Sequence, residues 1–534
     1  MNIGNDPLWD FPYTSQRMPL LAENIVSTSQ PLASSAGLLM FARGGNAIDA
    51  AIATAAALTV VEPCMNGIGG DGFALIWDKG QLHGLNASGR APQKWTPEHF
   101  SRYESMPLRG WDSVTVPGAV SQWRALWERF GSLPFADLLE PAIRFARDGY
   151  MVSPTVHRQW QAQISEMMPQ PGFAESFAPG GQAPLPGERF ICPGQARTLE
   201  RIAASKGDDF YHGELARAIA EHARKTGGLI DEADLAAHRA DWVEPISIPY
   251  RDVVLHEIGP SGQGIGALMA LGMLQHFDLK SDGPDSARTH HLQIEAMKLA
   301  FADMYEYVAD PDAMDAVRAE DLLNQDYLAS RAKLIDPDRV AEPRHGTPHS
   351  GGTVYLTTAD RNGMMVSLIQ SNFKGFGSGV VVPDTGIALH NRGWGFSLKE
   401  GHPNRVAPGK RPFHTIIPGF LTRNGAPLMS FGVMGGSMQA QGHVQVTTRV
   451  ADHGQNPQTA SDAPRWRIMD DNITIAVEWN FPEEAIAGLT ARGHKVEIAK
   501  RFDTEFGCAQ LAMRTAEGYI AASDHRKDGY PVGM

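Results

Sequence analysis

The chain contains 534 residues, of which 43% are hydrophobic and 20% are charged, a balance that excludes an intrinsically disordered protein. Its 47 Lys and Arg residues and 60 Asp and Glu residues give a formal net charge of −13, which disfavours binding to nucleic acid or to an anionic membrane. Its 3 cysteines lie far apart in sequence, so they indicate neither a metal site nor a disulfide scaffold.

Residues 1–24 show no basic region followed by an apolar one, so the sequence predicts no secretory signal. The most apolar long stretch, residues 47–61, is interrupted by Asp49 and is too short to span a bilayer. Together these features predict a cytoplasmic protein that does not associate with a membrane.

The first predicted elements are two helices. One covers residues 31–42, with Ser29 as its N-cap, and ends before Gly44 and Gly45. The other covers residues 46–58. It is rich in alanine and apolar on nearly all sides, which is typical of a buried helix that packs closely against its neighbours.

A glycine-rich turn, residues 62–72, follows and leads into a predicted β-hairpin. The strands of the hairpin cover residues 73–77 and 82–85, on either side of an Asp-Lys-Gly turn. Residues 134–335 are predicted to be mainly helical, and residues 290–303 are the clearest amphipathic segment within them.

The pattern changes after residues 336–352, a polar stretch rich in Pro, Gly and His that is the best linker candidate in the chain. Residues 353–359 and 364–371 are predicted strands, joined by a turn that contains Asn-Gly. The rest of the C-terminal third is predicted to continue in strands and glycine turns.

Thr353 stands directly after this linker. If the Gly352–Thr353 bond were cut, Thr353 would carry a free α-amine beside its own hydroxyl. An α-amine titrates near roughly 7.7–8.0, so it can act as the base that a weakly nucleophilic hydroxyl needs. Glycine suits a strained scissile bond because it lacks a Cβ. On these local features alone, an ordinary loop followed by a strand threonine is the simpler interpretation.

Further motifs in the chain favour Thr353 as a nucleophile over Thr353 as an ordinary strand residue. They are residues 43–51 (Arg-Gly-Gly-Asn-Ala-Ile-Asp-Ala-Ala), 61–70 (Val-Glu-Pro, then Gly-Ile-Gly-Gly), 116–118 (Val-Pro-Gly), 352–368 (Gly-Thr-Val-Tyr-Leu-Thr-Thr-Ala-Asp-Arg-Asn-Gly-Met-Met-Val-Ser-Leu), 376–379 (Phe-Gly-Ser-Gly), 386–391 (Gly-Ile-Ala-Leu-His-Asn) and 408–412 (Pro-Gly-Lys-Arg-Pro). In this order they resemble the γ-glutamyltransferase family of N-terminal-nucleophile hydrolases. Each pattern alone is weak, but the ordered set is specific.

The resemblance implies an α+β fold, the four-layer αββα sandwich with two antiparallel sheets between helical layers. It also implies a precursor that cleaves itself between Gly352 and Thr353. The products would be a large chain, residues 1–352, and a small chain, residues 353–534, which together form one domain. The Thr353 hydroxyl would then attack an amide substrate, and water or an acceptor amine would remove the acyl group. Hydrolysis or transfer of a γ-glutamyl group is the family-level activity.

Two supporting roles follow from the resemblance. Residues 434–437 (Met-Gly-Gly-Ser) match the oxyanion loop of the family, so the backbone N–H groups of Gly435 and Gly436 are expected to stabilise the tetrahedral intermediate. Ser371 falls where the family has a threonine that hydrogen-bonds the nucleophile. The alternative interpretations are an ordinary turn for the glycines and an exposed strand hydroxyl for the serine.

The expected substrate pocket departs from the family pattern. The family segment Asn-Asn-x-Met-Asp-Asp-Phe is His-Asn-Arg-Gly-Trp-Gly-Phe here, residues 390–396. Gly395 therefore replaces the acid that holds a substrate α-amine, and Arg392 replaces a polar amide. Asn391 and Arg392 are candidate substrate-binding residues. Phe373 stands where the family usually has an asparagine.

Cationic side chains are expected in the substrate pocket, two of them at positions where the family has neutral side chains. Residues 410–412 (Lys-Arg-Pro) are aligned with a Ser-Ser-Met run, and Arg90 is a shifted equivalent of a carboxylate-binding arginine. Substrate-binding roles are therefore expected for Arg90, Lys410 and Arg411, with an acyl group that carries a carboxylate but no α-amine. The pattern is similar to the branch with oxamate amidohydrolase and glutaryl-type acylases. A surface position or an ion pair is the alternative for each arginine.

Other classes of function remain as alternatives. Residues 259–266 form a glycine-rich stretch ahead of an apolar helix, but they lack the phosphate-binding motifs of nucleotide enzymes. His291 and Glu295 lie one helical turn apart without a recognisable third ligand, so no metal and no other cofactor is expected. An uncleaved relative that acts as a binding protein is disfavoured by the Gly352-Thr353 pair. The expected partners are a small-molecule amide, the two chains of one precursor and a second copy of the processed pair in a homodimer.

Overall fold

The structure is a computed structural model that describes residues 17–341, 352–501 and 503–534. Most of the N-terminal segment on which the expectation of no secretory signal rests lies outside the described residues, as does most of the predicted linker. No helix in the described ranges combines the length and the apolar character needed to cross a membrane. Cys64, Cys192 and Cys508 are buried and free.

Two antiparallel sheets contain most strands of the described residues. In chain order the strands are β1 (Leu20–Ala22), β2 (Ile25–Thr28), β3 (Asp71–Asp78), β4 (Gln81–Asn86), β5 (Tyr150–Met151), β6 (Arg189–Phe190), β7 (Asp241–Val243), β8 (Ile246–Tyr250), β9 (Val253–Glu257), β10 (Gly352–Ala359), β11 (Met365–Phe373), β12 (Val381–Val382), β13 (Ile387–Ala388), β14 (Gly419–Arg423), β15 (Ala426–Met434), β16 (Trp466–Ile468), β17 (Thr474–Val477), β18 (Lys495–Ile498), β19 (Cys508–Arg514), β20 (Tyr519–Ser523) and β21 (Val532–Gly533). The first sheet has the order β1-β20-β19-β15-β14-β9-β8, and the second has β21-β2-β10-β11-β3-β4-β7.

Helices cover the outer face of each sheet. In chain order the α-helices of the described residues are α1 (Pro31–Ala42), α2 (Ala47–Val61), α3 (Pro97–Phe100), α4 (Ala119–Phe130), α5 (Phe135–Asp148), α6 (Pro154–Gln161), α7 (Ile164–Met167), α8 (Phe173–Phe177), α9 (Pro193–Ser205), α10 (Asp208–His212), α11 (Glu214–Thr226), α12 (Glu232–Ala236), α13 (Gly264–Leu274), α14 (Ala287–Tyr307), α15 (Ala319–Leu322), α16 (Gln325–Ala332), α17 (Met438–Ala451), α18 (Pro457–Asp462) and α19 (Glu483–Ala491). Helix α2 packs on β10 and β11, whereas α17 packs on β15 and α13 packs on β8 and β9. The two sheets face each other through β10 and β15. This layering confirms the predicted αββα sandwich.

The N-terminal helices form largely as their sequences predict. Every residue of α2 is buried, and Asn46 caps the helix by accepting the N–H groups of Ile48 and Asp49 at 3.0 Å each. The prediction of Ser29 as the cap of α1 is wrong. Gln30 caps this helix with its side-chain oxygen, while the Ser29 hydroxyl donates to a buried carboxylate of the neighbouring helix. A longer side chain therefore does the capping that a serine usually does.

Both predicted hairpins are present, as β3–β4 and β10–β11. Two regional predictions are incomplete. The mainly helical middle of the chain also contains β8 and β9, which form one edge of the first sheet. The C-terminal third contains the long helix α17, whose buried face includes glutamines and β-branched residues that carry no clear helical periodicity. Helix α14 is buried on nearly all sides rather than amphipathic.

Each sheet contains strands from both sides of the Gly352–Thr353 bond. Strand β10 pairs with β2 on one side and with β11 on the other. In the first sheet, β8 and β9 precede the bond in sequence, whereas β14, β15, β19 and β20 follow it. The core is therefore shared between the two segments of the chain.

Candidate active site

Thr353 lies at the start of β10, near the middle of the second sheet, and its side chain is fully buried. Gly352 lies opposite Phe373 of β11, and the register shifts between Gly352 and Val354. The shift leaves two residues of β11 opposite Thr353, which is a β-bulge. At this bulge the Oγ atom of Ser371 lies 3.1 Å from Thr353 Oγ1.

The backbone after the bulge holds Ser371 in place. Ser371 Oγ accepts the N–H of Phe373 at 2.7 Å, and Phe373 adopts a φ of 74°. A bulky residue in this left-handed region is strained, and such strain is concentrated at functional sites. The structure thus brings together the predicted nucleophile and its predicted hydroxyl partner.

A loop of two glycines lies between β15 and α17. Gly435 and Gly436 have φ values of 121° and 63°, which favour glycine because a Cβ would be strained there. Their carbonyl groups accept the N–H groups of Met438 and Gln439 at 3.1 Å each. In the described part of the chain, the N–H groups of the two glycines have no acceptor. The loop therefore offers two backbone donors at the start of a helix, where the dipole also favours negative charge.

Gln439 connects this loop to Thr353, and no sequence motif pointed to this residue. Its Nε2 lies 3.4 Å from Thr353 Oγ1, and its Oε1 accepts the N–H of Ile417 at 3.0 Å. Gln263 supports the same loop from the other side, because its Nε2 donates to the carbonyl groups of Gly436, at 2.7 Å, and of Thr415.

Gln263 lies within the glycine-rich stretch, residues 259–266, that was the nucleotide-binding alternative. The backbone N–H of Gln263 donates to the carbonyl of His414 at 2.9 Å, and His414 N–H donates to the carbonyl of Ser261 at 3.0 Å. This stretch therefore serves as a support for the glycine loop, which is a structural role that needs no phosphate.

Arg392 is the predicted substrate-binding residue that contacts Phe373, which lies opposite Gly352. Its guanidinium forms a bidentate ion pair with Asp71, through Nε at 3.0 Å and NH2 at 3.1 Å, and both side chains are fully buried. Its NH1 donates to Thr415 Oγ1 at 3.2 Å, and the group stacks 4.3 Å from the ring centre of Phe373. Asp71 lies opposite Ser371 in the β3–β11 pair. The arginine is thus placed by a partner that the sequence did not reveal.

Burial and the Arg392 charge lower the pKa of the two histidines near this ion pair, His414 and His390. Burial alone would raise the pKa of Asp71, but the charge and hydrogen bonds of Arg392 hold it below its usual value. His414 Nδ1 lies 3.6 Å from Asp71 Oδ2, and neither of its ring nitrogens has a hydrogen-bond partner in the described residues.

The side chains of the other four predicted substrate-binding residues bind carboxylates or backbone groups of the protein. Arg411 binds Asp241 at 2.7 Å and the carbonyl of Ser88 at 3.1 Å, whereas the Lys410 ammonium binds the carbonyl groups of Pro403 and Arg405. Arg90 pairs with Asp310 at 3.4 Å, and the side chain of Asn391 bonds the backbone of Leu108 and Lys374. In the described residues none of these four side chains hydrogen-bonds to Thr353, Ser371 or the two glycines. Ion pairing, the alternative for the arginines, is what Arg90 and Arg411 show.

A cluster of three residues, two of them on α14, could provide the ligands that the metal alternative requires. His494 joins His291 and Glu295, so a third potential ligand that the sequence did not show is present. However, His291 Nδ1 and His494 Nε2 are hydrogen-bonded to each other at 2.7 Å. The Glu295 carboxylate is neutralised by the Lys298 ammonium at 3.0 Å and also accepts the N–H of Ala341. A dication would meet that ammonium in a buried site, so the residues do not fit a metal ion.

An αββα sandwich in which a buried threonine begins a central strand, beside a glycine loop with free N–H groups, is the architecture of the N-terminal-nucleophile hydrolases. Residues 33–534 match the family described as Gamma-glutamyltranspeptidase. The chain belongs to the γ-glutamyltranspeptidase family, whose members act on amide bonds, and it is an enzyme of that type.

Individual relatives agree with this assignment over nearly the whole chain. The structure is similar to that of a cephalosporin acylase from Bacillus halodurans, with a TM-score of 0.94, 48% identity and 99% of each chain covered. The sequence is 38% identical to the Oxamate amidohydrolase proenzyme of Klebsiella pneumoniae, over 94% of this chain and 97% of that protein. It is 36% identical to the Glutathione hydrolase-like YwrD proenzyme of Bacillus subtilis, over 96% and 98%.

Proposed function

We propose that the protein is an amidohydrolase that cuts its own Gly352–Thr353 bond and then uses Thr353 as the nucleophile. The observation that carries this proposal is the buried contact of 3.1 Å between Thr353 Oγ1 and Ser371 Oγ, at the first residues of a central strand. The products would be residues 1–352 and residues 353–534. They stay associated because each of the two sheets contains strands of both.

Self-cleavage follows from the position of the hydroxyl next to its own peptide bond. Thr353 Oγ1 adds to the carbonyl carbon of Gly352, the C–N bond to Thr353 breaks, and the nitrogen takes up the hydroxyl proton. An ester then joins Gly352 to Oγ1. The C–N cleavage frees the α-amine of Thr353. Water then hydrolyses the ester, which restores the hydroxyl, leaves a carboxylate on Gly352 and divides the chain in two.

The same hydroxyl then acts on the substrate amide. The neutral α-amine accepts the proton of Thr353 Oγ1 as this oxygen attacks the carbonyl, and the proton passes to the departing amine. An acyl group remains on Oγ1. Water, or an acceptor amine, attacks it in the second half of the reaction, and the α-amine again serves as the base.

Two kinds of supporting group assist Thr353 in this mechanism. The free N–H groups of Gly435 and Gly436 would bind the oxyanion, and loss of one such donor typically costs about 2.7–4 kcal/mol of transition-state stabilisation. Ser371 orients the nucleophile through the contact between the two hydroxyls.

A specific observation favours an acyl group without an α-amine. Gly395 has no side chain, and in the described residues the carboxylate of Asp71 is already paired with Arg392. A substrate ammonium would therefore find no free carboxylate at Gly395 or Asp71, and an unpaired buried charge costs several kcal/mol. The names of the acylase and oxamate amidohydrolase relatives support the same choice. The proposed substrates are amides of carboxylic acids without an α-amine, with γ-glutamyl compounds as the family-level alternative.

Replacement of the nucleophile tests the proposal directly. The purified protein should resolve on a denaturing gel into chains of about 38 and 20 kDa, which is 58.0 kDa divided in proportion to residues 1–352 and 353–534. Thr353→Ala should remain a single chain without activity. Thr357→Ala is the matched control, because Thr357 is a buried threonine of the same strand that binds Ser430. A small chain that begins at another residue would disprove the assignment.

The proposal extends to the assembly and the location of the enzyme. A homodimer of the processed pair and a cytoplasmic location are retained from the sequence, with the two chains and the amide substrate as the partners. Light scattering on the processed protein tests the first, and cell fractionation tests the second.

A further inference from the structure

Gln439 lies between the nucleophile and the glycine loop, and nothing in the sequence motifs assigns it a role. Its Nε2 is 3.4 Å from Thr353 Oγ1, while its Oε1 accepts the N–H of Ile417 at 3.0 Å. Because a backbone N–H can only donate, Ile417 requires the amide oxygen on its side. The amide NH2 group of Gln439 therefore faces Thr353.

We infer that Gln439 is a catalytic residue that donates a hydrogen bond to Thr353 Oγ1 in both halves of the reaction. The inference rests on the proposed function, because it concerns the atom that is proposed to attack. Gln439 is fully buried, and its own backbone N–H donates to Gly436 O at 3.1 Å. One residue thus couples the position of the glycine loop to that of the nucleophile.

The chemistry of Oγ1 explains why a donor is useful there. When Oγ1 attacks, its proton leaves for the α-amine and negative charge develops on the oxygen as the C–O bond forms. In deacylation the C–O bond of the ester breaks, and Oγ1 departs with the electron pair. A fixed N–H aimed at Oγ1 stabilises both charges. It also keeps the hydroxyl proton from pointing toward Gln439, which leaves Ser371 Oγ and the base as its acceptors.

The length of this contact fits a role in the transition state. A distance of 3.4 Å is longer than the usual range of about 2.7–3.2 Å for N–H···O bonds, and such contacts often tighten once the substrate is bound. An interaction that strengthens only when Oγ1 becomes negative lowers the barrier without improving substrate binding. Its loss should therefore reduce kcat and leave KM nearly unchanged.

Three variants of the full-length protein test the inference. Gln439→Met removes the donor at similar volume, and we expect kcat to fall roughly 10- to 100-fold with KM within about twofold. Self-cleavage of the precursor, followed on denaturing gels, should slow as well. Gln445→Met is the matched control, because Gln445 is a buried glutamine of the same helix that accepts Trp466 N–H at 3.4 Å. It should lower the melting temperature to a similar extent but leave kcat unchanged.

Gln439→Glu separates the donor role from a structural role. The carboxylate still accepts the N–H of Ile417, but once it is ionised it has no hydrogen to donate to Oγ1. We expect the activity of Gln439→Glu relative to the wild type to fall as pH rises from 6 to 10. A profile that tracks the wild type at every pH would overturn the inference. So would equal losses of kcat in Gln439→Met and Gln445→Met.

The wild-type protein separates this inference from the proposed function. If the wild type does not split at Gly352–Thr353 and does not form an acyl adduct on Thr353, the proposed function fails. If it does both, and the Gln439 variants keep their kcat, only the role of Gln439 fails.

Discussion

Arg392 and Asp71 form a buried bidentate ion pair, with N···O distances of 3.0 and 3.1 Å, and strand β11 lies between the strand of Asp71 and that of the nucleophile. Asp71 lies opposite Ser371, and the guanidinium stacks on Phe373, which faces Gly352. In self-cleavage Gly352 is the acyl group, so the acyl part of a substrate should lie on the same side of Thr353. The pair therefore borders the acyl position, and it is electrically neutral as a unit.

The neutral Arg392–Asp71 pair predicts a preference between a glutaryl and a γ-glutamyl anilide, two substrates that differ only in an α-amine. The glutaryl anilide should exceed the γ-glutamyl anilide in kcat/KM by at least tenfold, about 1.4 kcal/mol. The physical reason is that the γ-glutamyl ammonium would be desolvated beside Arg392 without a free carboxylate. Steady-state kinetics of the processed enzyme on both compounds measure this ratio. A tenfold preference for the γ-glutamyl compound would mean that an acid reaches the site by a route that the described residues do not show.

Restoring an acid at position 395 should not create a γ-glutamyl enzyme. A Cβ on Gly395 would lie 2.3 Å from the carbonyl oxygen of Phe413, so the backbone must move before an aspartate fits. We expect Gly395→Asp to lower the melting temperature without a gain in γ-glutamyl hydrolysis. Gly180→Asp is the control, since a Cβ on Gly180 meets no atom within 4 Å. A tenfold gain in γ-glutamyl activity in Gly395→Asp would refute this steric argument.

The pH dependence of kcat/KM should report the α-amine of Thr353. Only the neutral amine accepts a proton, so activity should rise with pH through its pKa, which is roughly 7.7–8.0 when unperturbed and lower after burial. Burial lowers the pKa of His414 and His390, so neither should add a histidine limb near neutral pH. Initial rates from pH 5 to 9 test this. A flat profile would argue against the amine as the base.

A buried ion pair joins the two proposed chains and should stabilise the folded protein. Lys527 Nζ lies 2.9 Å from Glu62 Oε1, and both side chains are almost fully buried. Burial alone would lower the pKa of Lys527, but Glu62 holds it above its usual value. Glu62→Gln leaves the ammonium without a partner, which should cost about 3–5 kcal/mol.

Thermal unfolding in the Thr353→Ala background measures this cost on one continuous chain, where dissociation of the two products plays no part. The control is Glu128→Gln, which breaks an exposed pair with Arg124 and should cost about 0.2–1 kcal/mol. Equal shifts in melting temperature in the two variants would contradict the prediction that the buried Glu62–Lys527 pair stabilises the fold more than an exposed pair does.

The sequence alone predicted several elements because their causes are local. The Ala-rich helix α2, the hairpins β3–β4 and β10–β11, and the placement of Thr353 at a strand start all depend on residues within a few positions of one another. The ordered motifs added the layered fold and the two glycines of the loop. Helix α17 escaped prediction because its buried polar residues are satisfied by partners distant in sequence, so apolar periodicity is weak.

Only the tertiary structure decided the electrostatics of the site. Arg392 is 321 residues from Asp71 in sequence, and Gln439 is 86 residues from Thr353. The choice of Asp241 as the partner of Arg411, 170 residues away, likewise depends on how the layers pack. A charged side chain shows its type in the sequence but not its partner, because a desolvated charge takes whichever opposite charge the packed chain brings within about 4 Å. For this reason the sequence indicates the candidate nucleophile, while packing determines which charged side chains lie near it.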